Sequence, residues 1–97
     1  MIYNEKRAKF NLAVNVFNRL RELDKPYAEL ARDLNAYPSR LQKILEQTSS
    51  SDWRFVLNLA EALEMSVEQL GANPSEKDIA CYLEKYPENV LEAQNVG

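Results

Sequence analysis

Apolar positions fall at helical spacing along nearly the whole chain. Over residues 4–23, Phe10, Ala13, Val14, Phe17 and Leu20 recur at i, i+3, i+4, i+7 and i+10, one face of a long helix. Leu12, Val16 and Leu23 widen that stripe past half the circumference, so this helix needs apolar contacts on two sides, from its own domain or from a partner. Asp24-Lys25-Pro26 stops it, and Pro26 suits the first turn of a second helix over 26–34. A third helix runs from 38 to 45 or 46, because Pro38 fits a first helical position and biases Tyr37 toward an extended cap. Residues 48–52 are a polar connector rich in capping types, and a fourth helix to residue 64 is expected to bury Trp53, Val56, Leu57, Ala60 and Leu63.

The end of the chain reads the same way. Ser66 can cap a short turn with Glu68 or Gln69 completing the cap, Val67 and Leu70 packing inward and Gly71 ending the helical set. Ser75, with Asp78 three residues on, opens a last helix whose stripe is Ile79, Tyr82, Leu83 and Tyr86, with Cys81 on the opposite side. Pro87 breaks or bends this element, Val90 and Leu91 continue its apolar character, and a frayed tail is expected from about residue 92. The expected fold is therefore all-α: a compact bundle of five or six helices, with residues 1–72 as one domain and 73–97 as a helical extension.

Residues 30–45 carry the most specific local pattern. Leu30-Ala31 and Leu34-Asn35 are followed by Leu41 and Ile44 on a second short helix whose other positions, Ser39, Arg40, Gln42 and Lys43, are polar or basic. Asn tolerates the left-handed conformation of a sharp corner, and Ala31 lets two helices cross closely. This is the sequence form of a helix-turn-helix, whose second helix can enter a DNA major groove.

Charge sharpens that expectation only on one side. The net charge is −3, yet residues 1–47 hold nine Lys and Arg against six Asp and Glu, while residues 48–97 hold three against nine. One cysteine and no histidine leave no disulfide framework and no zinc cluster, so no metal and no cofactor are expected. Catalysis is not expected either, since Cys81 lacks a base partner and Ser49 to Ser51 read as connector residues. No apolar run can span a membrane and no signal peptide is visible, which makes a reducing, cytoplasmic setting the expectation.

The order of these elements resembles the lambda-repressor-like helix-turn-helix family, the Cro or XRE class. The matching residues are Leu30-Ala31-x-x-Leu34-Asn35, Leu41 with Ile44, and Leu59-Ala60-x-x-Leu63-x-Met65-Ser66-Val67-x-x-Leu70, covering about residues 10–70. The chain departs from the family at Tyr27, where Gln is common, at Asn35, where Gly is usual, and at Glu46-Gln47, where a Gly-containing turn often follows. The resemblance implies a transcriptional regulator, a repressor by expectation, that binds double-stranded DNA as a homodimer. On that reading Ser39, Gln42 and Lys43 reach base edges, Arg40 serves base or phosphate, and Tyr37 meets a phosphate or a thymine methyl. Lys25 and the start of the second helix, at Tyr27, would hold a phosphate. The stripe of Ile79, Tyr82, Leu83 and Tyr86 is the candidate dimer or partner contact, with packing on its own domain as the other possibility. The alternative function is a protein-interaction module of the same fold, such as an antitoxin that binds a toxin.

Overall fold

Six α-helices and one 3₁₀ turn account for the regular structure of the computed structural model, which describes residues 5–48 and 52–89. They are α1 (Glu5–Glu22), α2 (Tyr27–Asp33), α3 (Pro38–Leu45), α4 (Trp53–Ala62), α5 (Val67–Gly71) and α6 (Glu76–Lys85), then the turn Pro87–Asn89. No strand occurs among the described residues. The expectations for Val90, Leu91 and the tail lie outside those residues, as do Ser49, Ser50 and Ser51 of the connector.

Local chemistry sets the boundaries. Asp52 accepts from the Phe55 amide at 2.7 Å, and Ser75 from the Asp78 amide at 3.1 Å. Ser66 and Gln69 form a reciprocal capping box, at 3.0 and 2.9 Å. Helices α1 to α4 then end alike, each on a non-glycine residue in left-handed conformation: Asp24, Asn35, Gln47 and Glu64. At each corner the following amide reaches back five residues: Lys25 to Leu20, Ala36 to Ala31, Thr48 to Lys43 and Met65 to Ala60, all at 2.9 Å. This paired closure satisfies helix-end carbonyls, and here it is made with Cβ-bearing residues that lack the freedom of glycine. Gly71 is itself the last residue of α5, with Ala72 extended after it.

The wide stripe of α1 is used on both sides by the chain itself. Val16 and Leu20 join Leu30, Ala31, Leu41, Ile44, Leu45, Phe55, Leu59, Ala60, Leu63 and Leu70 in the main core. Phe10, Ala13 and Val14 pack instead with Tyr82 of α6. Between these faces runs a polar row at i, i+4 and i+7. The Asn15 amide donates to the carbonyls of Leu70 and Ala72, at 2.7 and 2.8 Å, and Asn18 donates to Asp78 at 3.0 Å. Asn11, almost fully buried, donates to the Asn73 side chain at 3.0 Å. Three amides therefore hold the α5–α6 connection against α1. Arg19 adds a cap on the end of α4, its Nε donating to the Leu63 carbonyl at 2.8 Å.

The register of α4 corrects one expectation. Trp53 is 64% exposed and Leu57 41% exposed, whereas Phe55 is buried with Leu59, Ala60 and Leu63. The Asp52 cap makes Trp53 the first residue of the helix, where its side chain leans beyond the end toward solvent, and turns Phe55 inward. The result is a compact globule with a Cα radius of gyration of 12.7 Å.

Candidate nucleic-acid interface

The α2–α3 corner is built from small and branched apolar residues. Leu30, Ala31 and Leu41 are fully buried, and Ile44 and Leu45 nearly so. Asn35 turns the corner at φ 54°, and Tyr37 is extended before Pro38, the first residue of α3. With that inner face fixed, α3 presents Tyr37, Ser39, Arg40, Gln42 and Lys43 to solvent. Tyr37 is 82% exposed.

These five outward residues are not equally free. The Arg40 guanidinium carbon lies 3.9 Å from the centre of the Phe55 ring, a cation–π stack that joins the first turns of α3 and α4. Gln42 Nε2 donates to Glu46 at 3.2 Å, one turn along. Tyr37, Ser39 and Lys43 have no side-chain hydrogen bond among the described residues, so they project unengaged. Lys25 is occupied: its ammonium meets the Asp33 carboxylate at 2.5 Å, and that hydrogen bond raises its pKa above the usual lysine value. Tyr27, at the start of α2, is partly exposed and contributes to the field at Tyr86.

The carboxyl end of α3 is tied down. Tyr82 Oη donates to the Leu45 carbonyl and accepts from Gln47 Nε2 at 3.1 Å and from Asn89 Nδ2 at 3.3 Å. Gln47 Nε2 also donates to the Asn89 carbonyl at 3.0 Å. Edge-on contacts with Phe10 and Phe17, at 6.2 and 5.7 Å between centroids, fix the Tyr82 ring. Burial raises the Tyr82 pKa, with hydrogen bonds from Gln47 and Asn89 opposing the shift. Tyr86 is raised too, first by burial and then by Tyr82, Glu46 and Tyr27.

The stripe proposed for a partner is thus largely spent within the chain. Tyr82 is fully buried, and Ile79, Leu83 and Tyr86 are half-buried against the α1 cluster. Sequence reasoning missed Gln47, the Arg40–Phe55 stack and the asparagine row. Only the row left a signal, since Asn11, Asn15 and Asn18 interrupt an otherwise apolar region at helical spacing. Among the described residues no group of His, Cys, Asp and Glu could hold a metal ion, and no helix is long and apolar enough to cross a membrane. No family model matches this chain, and no characterised protein or solved structure matches it either.

Proposed function

We propose that the chain is a sequence-specific DNA-binding regulator, a transcriptional repressor, that uses α2 and α3 as a helix-turn-helix. The observation that supports this most is the contrast across α3. Its inner face is locked by Leu41, Ile44 and Leu45, while Tyr37, Ser39 and Lys43 stand unengaged on a basic outer face. A rigid helix with unengaged donors on its outer face is what reading base edges requires. The lambda-repressor-like resemblance of the sequence agrees with this assignment, including the left-handed corner at Asn35.

In this reading Lys43 donates to guanine, Ser39 reads either strand, and Tyr37 packs on a thymine methyl or meets a phosphate. Gln42 reaches adenine after releasing Glu46, an exposed one-turn contact worth only about 0.2–0.5 kcal/mol. Arg40 acts by positioning, since its stack on Phe55 sets the pitch of α3 against α4. Lys25 and Tyr27 flank the backbone-facing end of α2, with Lys25 exchanging Asp33 for phosphate on binding. Two such modules, as a homodimer, would read a two-part site.

Selection from a random double-stranded DNA pool tests this. The expected product is a two-part palindrome bound with an affinity that falls steeply as salt rises. Failure to enrich any sequence at low salt would sink the proposal and favour the protein-interaction reading, for which the exposed Trp53 and Leu57 are the supporting observation.

A further inference from the structure

We propose that the outer face of α4 is self-complementary and pairs, antiparallel, with α4 of a second copy of this chain. Trp53 and Leu57 stand one turn apart on that face and are the exposed large apolar side chains of α4. Arg54 and Glu61, two turns apart beside them, are both exposed and take no part in the ion pairs of the described residues. Along that face the order is Trp53, Arg54, Leu57 and Glu61, so a cation lies in the first turn beside Trp53, Leu57 stands at the middle and a carboxylate lies in the last turn.

That order fits one arrangement. A two-fold axis near Leu57 sets Leu57 beside its mate, lays the Trp53 indole along the last turn of the other copy's α4, and places Arg54 of each copy beside Glu61 of the other. A parallel pair would oppose arginine to arginine and glutamate to glutamate, and would align the helix dipoles unfavourably. The α6 stripe offers no competing site of this kind, because Tyr82 is enclosed by its own chain. The pairing rests on α4 alone and holds whether or not the pair reads DNA. One ten-residue helix face lies at the small end of protein interfaces, so the pair is weak and concentration-dependent.

Sedimentation of the full chain between about 10 μM and 1 mM, spanning weak association constants, tests the proposal. A monomer–dimer equilibrium is expected, with the emission of Trp53, the sole tryptophan, shifting on dilution. Arg54→Glu and Glu61→Arg should each weaken pairing about tenfold, and the double reversal should restore it to within about threefold. Both sites are exposed and each reversal suits the helix dipole, so folding is retained. A chain that stays monomeric throughout, or a double variant no tighter than either single one, overturns the proposal. So does a monomer whose Trp53 emission shifts when a random-sequence duplex is added at low salt; that result would give the face to nucleic acid and leave the DNA-binding reading standing.

Discussion

Two apolar ridges have opposite fates in this molecule. On α6, Tyr82 is fully enclosed and its neighbours Ile79, Leu83 and Tyr86 lie against α1. On α4, Trp53 and Leu57 remain in solvent. Hydrophobicity does not separate them, since tryptophan is at least as apolar as tyrosine. What separates them is the polar handle and the cap. The Tyr82 hydroxyl finds Leu45, Gln47 and Asn89 at the end of α3, so its burial leaves no orphaned group. Trp53 is pinned to the first position of α4 by the Asp52 cap, with its side chain 64% exposed. A stripe in a sequence says that a surface wants covering, and the polar atoms decide what covers it.

The comparison breaks first on truncation. Tyr82→Ala should destabilise the fold by about 3–5 kcal/mol, as loss of a buried aromatic does, while Trp53→Ala should stay within about 0.5 kcal/mol of the parent. Denaturant unfolding measures both, and equal costs would mean that the two ridges are alike after all. A smaller effect isolates the hydroxyl. Tyr82→Phe keeps the ring but leaves the Leu45 carbonyl without its donor and Gln47 Nε2 with the Asn89 carbonyl alone, a loss of about 1–3 kcal/mol.

Alkaline titration sharpens the same point. Because burial raises the folded pKa of Tyr82, the neutral hydroxyl favours the folded state. Its contribution is complete below the unfolded value of about 10 and is lost as pH rises above it toward the folded value. Unfolding followed from pH 8 to 11 should show that loss in the parent and a shallower one in Tyr82→Phe, the remainder coming from Tyr86 and from Lys25, whose pKa is raised by Asp33.

Smaller still are the helix corners. Glu64→Gly should stabilise by about 1 kcal/mol, since a left-handed residue with a Cβ is strained by roughly that amount. Gln47→Gly, at the same backbone geometry, should show no such gain, because it also removes the bonds to Tyr82 and Asn89. Thermal melts distinguish the two, and a matching gain would mean that Gln47 contributes nothing to the tie between α3 and α6. Least of all in stability is Lys43→Glu, expected within about 0.5 kcal/mol of the parent while binding to a selected DNA site is abolished. Unfolding by that substitution would show Lys43 to be structural and its outward role mistaken.

Much of the helix order was legible because its signals are local. Ser66 and Ser75 announce their caps, Pro38 announces a first turn, and Asn35 announces a corner. The misread register of α4 was also local in cause: Asp52 can be read as a cap, but the apolar run of Trp53, Val56 and Leu57 outweighed it. The candidate site was less legible. Arg40 and Phe55 are far apart in the chain, and Gln42 is as polar when bound to Glu46 as when free. Nothing in the types of residues 79–86 distinguishes packing on α1 from packing on another molecule, since both bury the same side chains.

One consequence of the two-sided α1 concerns time during synthesis. Helix α1 touches α3, α5 and α6, and the aromatic cover for Phe10 and Val14 arrives only with Tyr82. At about 5–20 residues per second, the roughly 60 residues between Leu20 and Tyr82 take about 3–12 s to be made. Phe10, Ala13 and Val14 therefore leave the ribosome seconds ahead of their aromatic cover, a delay longer than most elementary folding steps.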